Sequence, residues 1–334
     1  MLAIFTIKDG LINSFREYYK ALKHHLVLIL VDMKKAKVYF HPLASKNPKE
    51  IGRIAKKLFE TIIKQNNIVL KKNLPLKVHP GEPGNTTFIK PAVYNDLIDF
   101  LTAKGVKTFF IETNTVTGQR TNRGSHLRVA KEHGFTKIPV VIADGETGND
   151  QTMVPIKNGK YFKACRIANE LANKSQVVVL SHFKGHIAAG FGAALKMLGI
   201  GFASRQGKME IHSKEFALGL KTIDWSKSDK LYPLDIFRER MAEYALAAVN
   251  NKQYIYLTFA FDLTDNCDCD AEEMEPVYSD LGIFASLDPV AIDKACFDML
   301  EKREGKKPFE GADIFAYAEK LGLGSQEYIL QNLF

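Results

Sequence analysis

From Ala36 onward, short apolar runs suited to strands alternate with longer amphipathic patterns suited to helices, and this alternation predicts an α/β fold. Val38-Tyr39-Phe40 reads as a strand. Pro48 then opens a helix through about Gln65, with Ile51, Ile54, Ala55, Leu58 and Ile62 on one face. Leu76–His79 is a second strand, a helix starts at Pro91, and Thr108–Ile111 is a third strand. A helix from about Ser125 to His133 closes at Gly134, followed by the apolar strand Ile138–Ala143. Repeated βα units place their polar loops at the C-terminal ends of the strands, where open sheets bind ligands.

The second half begins near Thr152. Val177–Leu180 is a buried-strand run, and 185–201 is a glycine-rich loop followed by a helix. A basic, loop-like stretch runs from Phe202 to Ser228. A helix from Pro233 to Val249 then leads into the strand Tyr254–Phe259. Residues 262–280 form an acidic loop with eight carboxylates and no basic group, and Asp288-Pro289 caps a further helix. The expected architecture is two Rossmann-like lobes, 33–150 and 151–334, with a cleft between them. Residues 1–32 read as an upstream extension, because Met33-Lys34-Lys35 followed by a strand is a natural chain start.

Composition narrows the class. The chain has 334 residues, 46% apolar and 25% charged, which is a globular balance. No apolar run nears the roughly 18–20 residues that span a bilayer, so no membrane partner is expected. Four cysteines are too few for a disulfide scaffold, and a reducing cytoplasm is the expected location. Residues 1–80 carry 16 basic against 5 acidic groups, but the lysines are scattered without aromatic interleaving, which disfavours nucleic acid as a partner.

Three constellations could carry chemistry. The first is Ser181-His182-Phe183-Lys184-Gly185-His186, followed by Gly190-Phe191-Gly192-Ala193-Ala194-Leu195-Lys196. Its small residues let backbone amides approach an anion at a helix start, with Gly190, Gly192 and Lys184 as cofactor-binding candidates. His182 and His186 are metal-ligand or proton-transfer candidates. The second is Cys267-Asp268-Cys269-Asp270, whose thiols could share a soft metal; Cys165 and Cys296 sit in apolar stretches and read as inert. The third is a polar cup of strand-end loops with His79, Glu112 and Asn114, and Gly124-Ser125-His126 on the same edge.

Lys77–Thr87, Glu112–Thr115, Ile142–Gly145, Ser181–Lys208 and Asp265–Asp293 together resemble the domain-of-unknown-function 362 family, across about residues 34–330. Members are commonly labelled iron–sulfur or ferredoxin-like, so the resemblance implies a metal or iron–sulfur cluster and a redox partner. The bacterial-ferredoxin insert of that family is missing here: no cysteine occurs from Ser213 to Pro233.

A local stretch is also similar to the nickel-pincer lactate racemase family: His186-x₃-Gly190-Phe191-Gly192-Ala193-Ala194-x-Lys196, then His212-Ser213. By position that likeness implies His186 and His126 as proton-transfer groups, Lys196 as the cofactor lysine, His212 as the metal ligand and a small-molecule substrate. Two functions therefore stand side by side. One is a redox or racemase-like enzyme with a metal-based cofactor. The other is a non-catalytic metal or cluster carrier that uses Cys267 and Cys269.

Overall fold

The computed structural model describes residues 35–216, 219, 222–250 and 252–333; the expected upstream extension, 1–32, lies outside them. The chain runs β1 (Ala36–Pro42), α1 (Pro48–Gln65), β2 (Asn73–Lys77), α2 (Asn95–Ala103), β3 (Lys107–Glu112), α3 (Arg123–Glu132) and β4 (Val140–Ile142). It continues through β5 (Gln151–Pro155), β6 (Ala164–Ala168), α4 (Asn169–Ala172), β7 (Gln176–His182), β8 (Lys184–His186) and β9 (Gly190–Gly192). Helices α5 (Ala194–Gly199), α6 (Arg205–His212) and α7 (Leu234–Val249) follow. The chain closes with β10 (Gln253–Ala260), β11 (Gly282–Ser286), α8 (Pro289–Glu304), α9 (Asp313–Lys320) and β12 (Tyr328–Asn332).

The α/β fold expected from the sequence is present. Eight strands form one mixed sheet in the order β12-β1-β11-β10-β7-β2-β3-β4, and β11 alone in that sheet runs against the rest. The sheet is continuous across residue 150, because β7 pairs directly with β2 through Leu76–Val178 and Lys77–Val179. Its central strands are apolar on both faces, as parallel strands covered on both sides must be. In β7, Val177 and Val179 join one core while Val178 and Leu180 join the other. The first core packs under α5, α7 and α8, and the second under α1 and α2.

Helix α1 starts where the sequence places it: Asn47 accepts from the Lys49 amide, and Pro48 needs no partner for its missing N–H. Helix α6 falls inside the stretch expected as a loop. Ser204 caps it by accepting from Gly207 N. Its buried side is Gly207, Lys208, Met209 and Ile211, in which a lysine masks the apolar period.

Strand order positions the site. From β2 the chain lays β3 and then β4 to one side, then returns to place β7 and β10 on the other. The loops leaving β2 and β7 therefore diverge, opening a crevice at the C-terminal edge of the sheet, the usual ligand position in doubly wound folds.

Candidate functional site

A cavity of about 670 Å³ occupies that crevice. Its walls come from the loops after β2, β3 and β7, from α5 and α6, and from the first turn of α7; the acidic loop adds Cys269 and Asp270. Glu82 N donates to the Asp268 carbonyl at 2.9 Å, which ties the loop after β2 to the acidic loop.

Cations dominate the floor, and most are neutralised by burial-compatible partners. Lys77, on β2, pairs with Glu112 at the end of β3. Arg120 Nε lies 2.7 Å from Glu82 Oε2. Lys184 Nζ donates to Asp268 Oδ2 at 2.7 Å, and His182 Nδ1 sits 3.0 Å from the same oxygen. Buried charge pairs of this kind are tolerated because each carries its counter-ion and hydrogen bonds with it. Burial pushes the Asp268 carboxyl up, but Lys184 and His182 outweigh it and hold it well below the usual range.

Two cations are less completely matched. Arg120 is wholly buried, yet its Nη1 has no hydrogen-bond partner and stands 3.6 Å from Glu112. Lys208, from α6, donates only to uncharged oxygens: Thr113 Oγ1 at 2.6 Å, Thr113 O at 3.2 Å and Asn114 O at 2.5 Å. Burial lowers its pKa to about 8. Both residues border the cavity; an anion there would gain from the Lys208 charge, which no carboxylate among the described residues bonds, and from Arg120 once its buried Nη1 shifts out from between Glu82 and Glu112.

The imidazoles are set by the backbone. His186 Nδ1 accepts from the amides of Ala188, at 3.1 Å, and Ala189, at 2.9 Å, so its ring proton resides on Nε2. Burial, then Lys196 and His212, keep its pKa well below the ordinary value. His212 is the reverse case. Its Nδ1 donates to the Lys208 carbonyl at 2.7 Å, which leaves a lone pair on Nε2, and burial lowers its pKa to about 4. Both rings line the cavity, one neutral with an N–H to give and one neutral with a lone pair to give.

His126, on α3, is fully buried with both ring nitrogens unpartnered; burial, then Arg120, Lys208 and Lys77, depress its pKa. It is not among the residues lining the cavity. His182 spends both nitrogens internally, Nδ1 toward Asp268 and Nε2 on the Phe261 carbonyl at 2.8 Å. That leaves it structural in place of the free ligand the sequence suggested.

The thiols behave as a pair of unlike members. Lys196 Nζ donates to Cys267 Sγ at 3.0 Å, and Cys269 N donates to the same sulfur at 3.4 Å. Burial raises the Cys267 pKa, but its hydrogen bond with Cys269 and the charge of Lys196 outweigh burial and bring it well below the usual thiol value. The bond to Cys267 pushes Cys269 well above. Among the described residues, ligand atoms of His186, Cys267 and Cys269 lie within 4.8 Å of one another. Cys165 and Cys296 are buried in the hydrophobic core, so the folded chain does not bring four thiolates together.

The two glycines part company. Gly192 lines the cavity, and a Cβ there would press on the Lys184 and Lys196 stems at 3.3 and 3.4 Å. Gly190 has φ +83°, and its bare side faces the Glu310 carbonyl. The amides expected to receive an anion at the start of α5 are taken. Ala194 N and Leu195 N each donate, at 2.8 Å, to the carboxylate of Asp293 from α8. The helix start is thus capped from within the protein, and ligand charge is met by side chains.

Sequence reasoning missed Arg120, Lys77 and Lys208. Lys77 left a signal, a lysine between Leu76 and Val78 in a strand buried on both faces. Arg120 left none, because its partners Glu82 and Glu112 are 38 and 8 residues away in a polar stretch of ordinary loop composition.

Two solved structures align with the chain at low identity. A crystal structure of a Thermotoga maritima protein, a target of the Northeast Structural Genomics Consortium, aligns at 14% identity with a TM-score of 0.50, over 80% of this chain and 61% of that one. Lactate racemase apoprotein from Thermoanaerobacterium thermosaccharolyticum aligns at 15% identity with a TM-score of 0.41, over 68% of this chain and 51% of that one. The chain therefore spans about half to three-fifths of the length of these two relatives. No curated protein matches the sequence. No described helix is long and apolar enough to cross a membrane. The profile of the domain of unknown function DUF362 matches residues 68–298 and so takes in the strands β2 to β11, both thiols and every cavity residue discussed above; the chain belongs to the DUF362 family.

Proposed function

We propose that the cavity takes a small 2-hydroxy carboxylate and works at its hydroxyl-bearing carbon in the manner of a racemase, beside a metal-based cofactor of the nickel-pincer type. The observation that carries this reading is the opposite setting of two neutral imidazoles in one cationic cavity: Nε2–H on His186 and an Nε2 lone pair on His212. A 2-hydroxy acid brings a carboxylate for Arg120 Nη1 and Lys208, and an adjacent oxygen for the His186 donor.

The donor set suits such a cofactor. A neutral imidazole with a free Nε2 is an appropriate ligand for nickel, so His212 would hold the metal. Lys196, an ammonium beside the Cys267 thiolate, would hold an anionic substituent by charge. Bound there, the cofactor supplies a hydride acceptor. The chain's own residues do the rest. Arg120 and Lys208 fix the carboxylate. His186 would steady the substrate oxygen with its N–H, which departs from the proton-transfer role implied by the family resemblance; the hydroxyl proton released alongside the hydride would pass to water at the cavity mouth and return with it. Its Nδ1 already faces two N–H donors, so a second ring proton would have to displace them.

The test uses protein purified with its metal. A single enantiomer of lactate, 2-hydroxybutyrate or 3-phenyllactate is incubated with it and analysed by chiral chromatography. The expected result is steady appearance of the opposite enantiomer toward an equal mixture. Metal-loaded protein that converts none of them would sink the reading.

The clustering of His186, Cys267 and Cys269 favours a second reading, a carrier of a soft metal on the thiol pair. In that case Cys267→Ser would empty the protein of metal and Lys196→Ala would leave it loaded; the enzyme reading expects the reverse.

A further inference from the structure

The mouth of the cavity is apolar, and this says what a substrate must carry besides its carboxylate. Ile187 is 82% exposed, Leu234 52% and Trp225 46%, yet all three line the same cavity as Arg120 and Lys208. They come from separate parts of the chain: the β8–β9 turn, the stretch after α6, and the first residue of α7. Trp225 is fixed by a 3.1 Å bond from its Nε1 to Thr117 Oγ1, and its ring meets that of His212 edge-on at 5.3 Å. Phe237 carries the apolar wall inward, its ring centred 4.6 Å from that of His212.

Side chains this exposed add little to the core, and large apolar groups gathered at a cavity rim mark a binding surface.

We infer that the substrate is amphipathic, with its anionic head at Arg120 and Lys208 and a hydrocarbon or aromatic tail against Ile187, Trp225 and Leu234. The inference rests on the carboxylate reading above and adds the tail. Trp225 is the single tryptophan of the chain, so its fluorescence reports directly on the mouth.

The experiment titrates the full chain with straight-chain 2-hydroxy acids of increasing length and with 3-phenyllactate, followed by Trp225 fluorescence and by calorimetry. Alkylammonium ions of matched length serve as the charge-reversed series. Affinity should rise by up to about fourfold per methylene until the tail fills the mouth. Ile187→Ser and Leu234→Ser, both exposed and outside the polar floor, should flatten that rise without weakening lactate. If the acids bind with equal affinity at every length, the amphipathic substrate is overturned and the carboxylate site stands. If alkylammonium ions bind as well as the acids and gain equally with length, the apolar mouth stands and the carboxylate reading beneath it falls.

Discussion

His186→Phe should slow enantiomer interconversion by about 10²–10³-fold, the usual cost of deleting one hydrogen bond to charge that develops on a reacting oxygen. His186→Gln should recover all but about tenfold, because an amide N–H can replace a ring N–H as donor. The reason lies in the β8–β9 turn. The amides of Ala188 and Ala189 both point at Nδ1, which fixes the proton on Nε2 and blocks the doubly protonated ring. A residue that acts by donating one hydrogen bond tolerates another donor; a residue that must carry the proton away does not. Initial rates of the metal-loaded variants, measured at saturating substrate, separate the two. Equal inactivity of the glutamine and phenylalanine variants would return His186 to the proton-transfer role implied by the racemase likeness.

The second large effect is acid instability of the metal-free protein. His79, His126, His186 and His212 all have folded pKa values below the unfolded value, with burial the leading cause in each. The native state keeps these rings neutral while the unfolded chain takes up protons. Stability is therefore complete above the unfolded value near 6.5 and is lost as pH falls below it.

Asp293 works the other way. Burial raises its carboxyl to about 7, so it favours the native state as pH drops. Four rings against this one carboxyl leave the unfolded chain with the larger proton uptake below about pH 6.5, so stability falls with pH there. Thermal melts from pH 8 to pH 5 should show a steep fall in Tm. His126→Leu removes a fully buried ring with neither nitrogen bonded, so it should raise Tm at pH 7 and reduce the slope by about 1 kcal/mol per pH unit. A slope unchanged in that variant would mean that His126 takes up its proton while the protein is folded.

Much of the fold was legible because its signals are local. The apolar run of β7, the Pro48 start of α1 and the Asp288-Pro289 start of α8 each stand in a few consecutive residues. The loops that build the cavity were legible for the same reason, as polar segments at strand ends. Helix α6 was hidden because its buried face includes Lys208, a charge that breaks the apolar period.

The chemistry of the site was legible as residue types and not as roles. His182, His186 and His212 look alike in a sequence. Their differences come from partners at Asp268, at the Ala188 and Ala189 amides, and at the Lys208 carbonyl, all fixed by backbone path. Pairings such as Lys77 with Glu112 join residues on neighbouring strands and leave no trace in spacing. Asp293 is a further case: nothing near it in the chain announces that it caps α5 from another helix.

The most direct check is the protonation pattern of the ring nitrogens, read by long-range ¹H–¹⁵N NMR at pH 7 on metal-free protein labelled at histidine, with His186→Gln and His212→Gln supplying the assignments. Two uncharged rings should appear in opposite forms: His186 protonated at Nε2 alone and His212 at Nδ1 alone. Finding either ring doubly protonated, or both in the same form, would contradict the account.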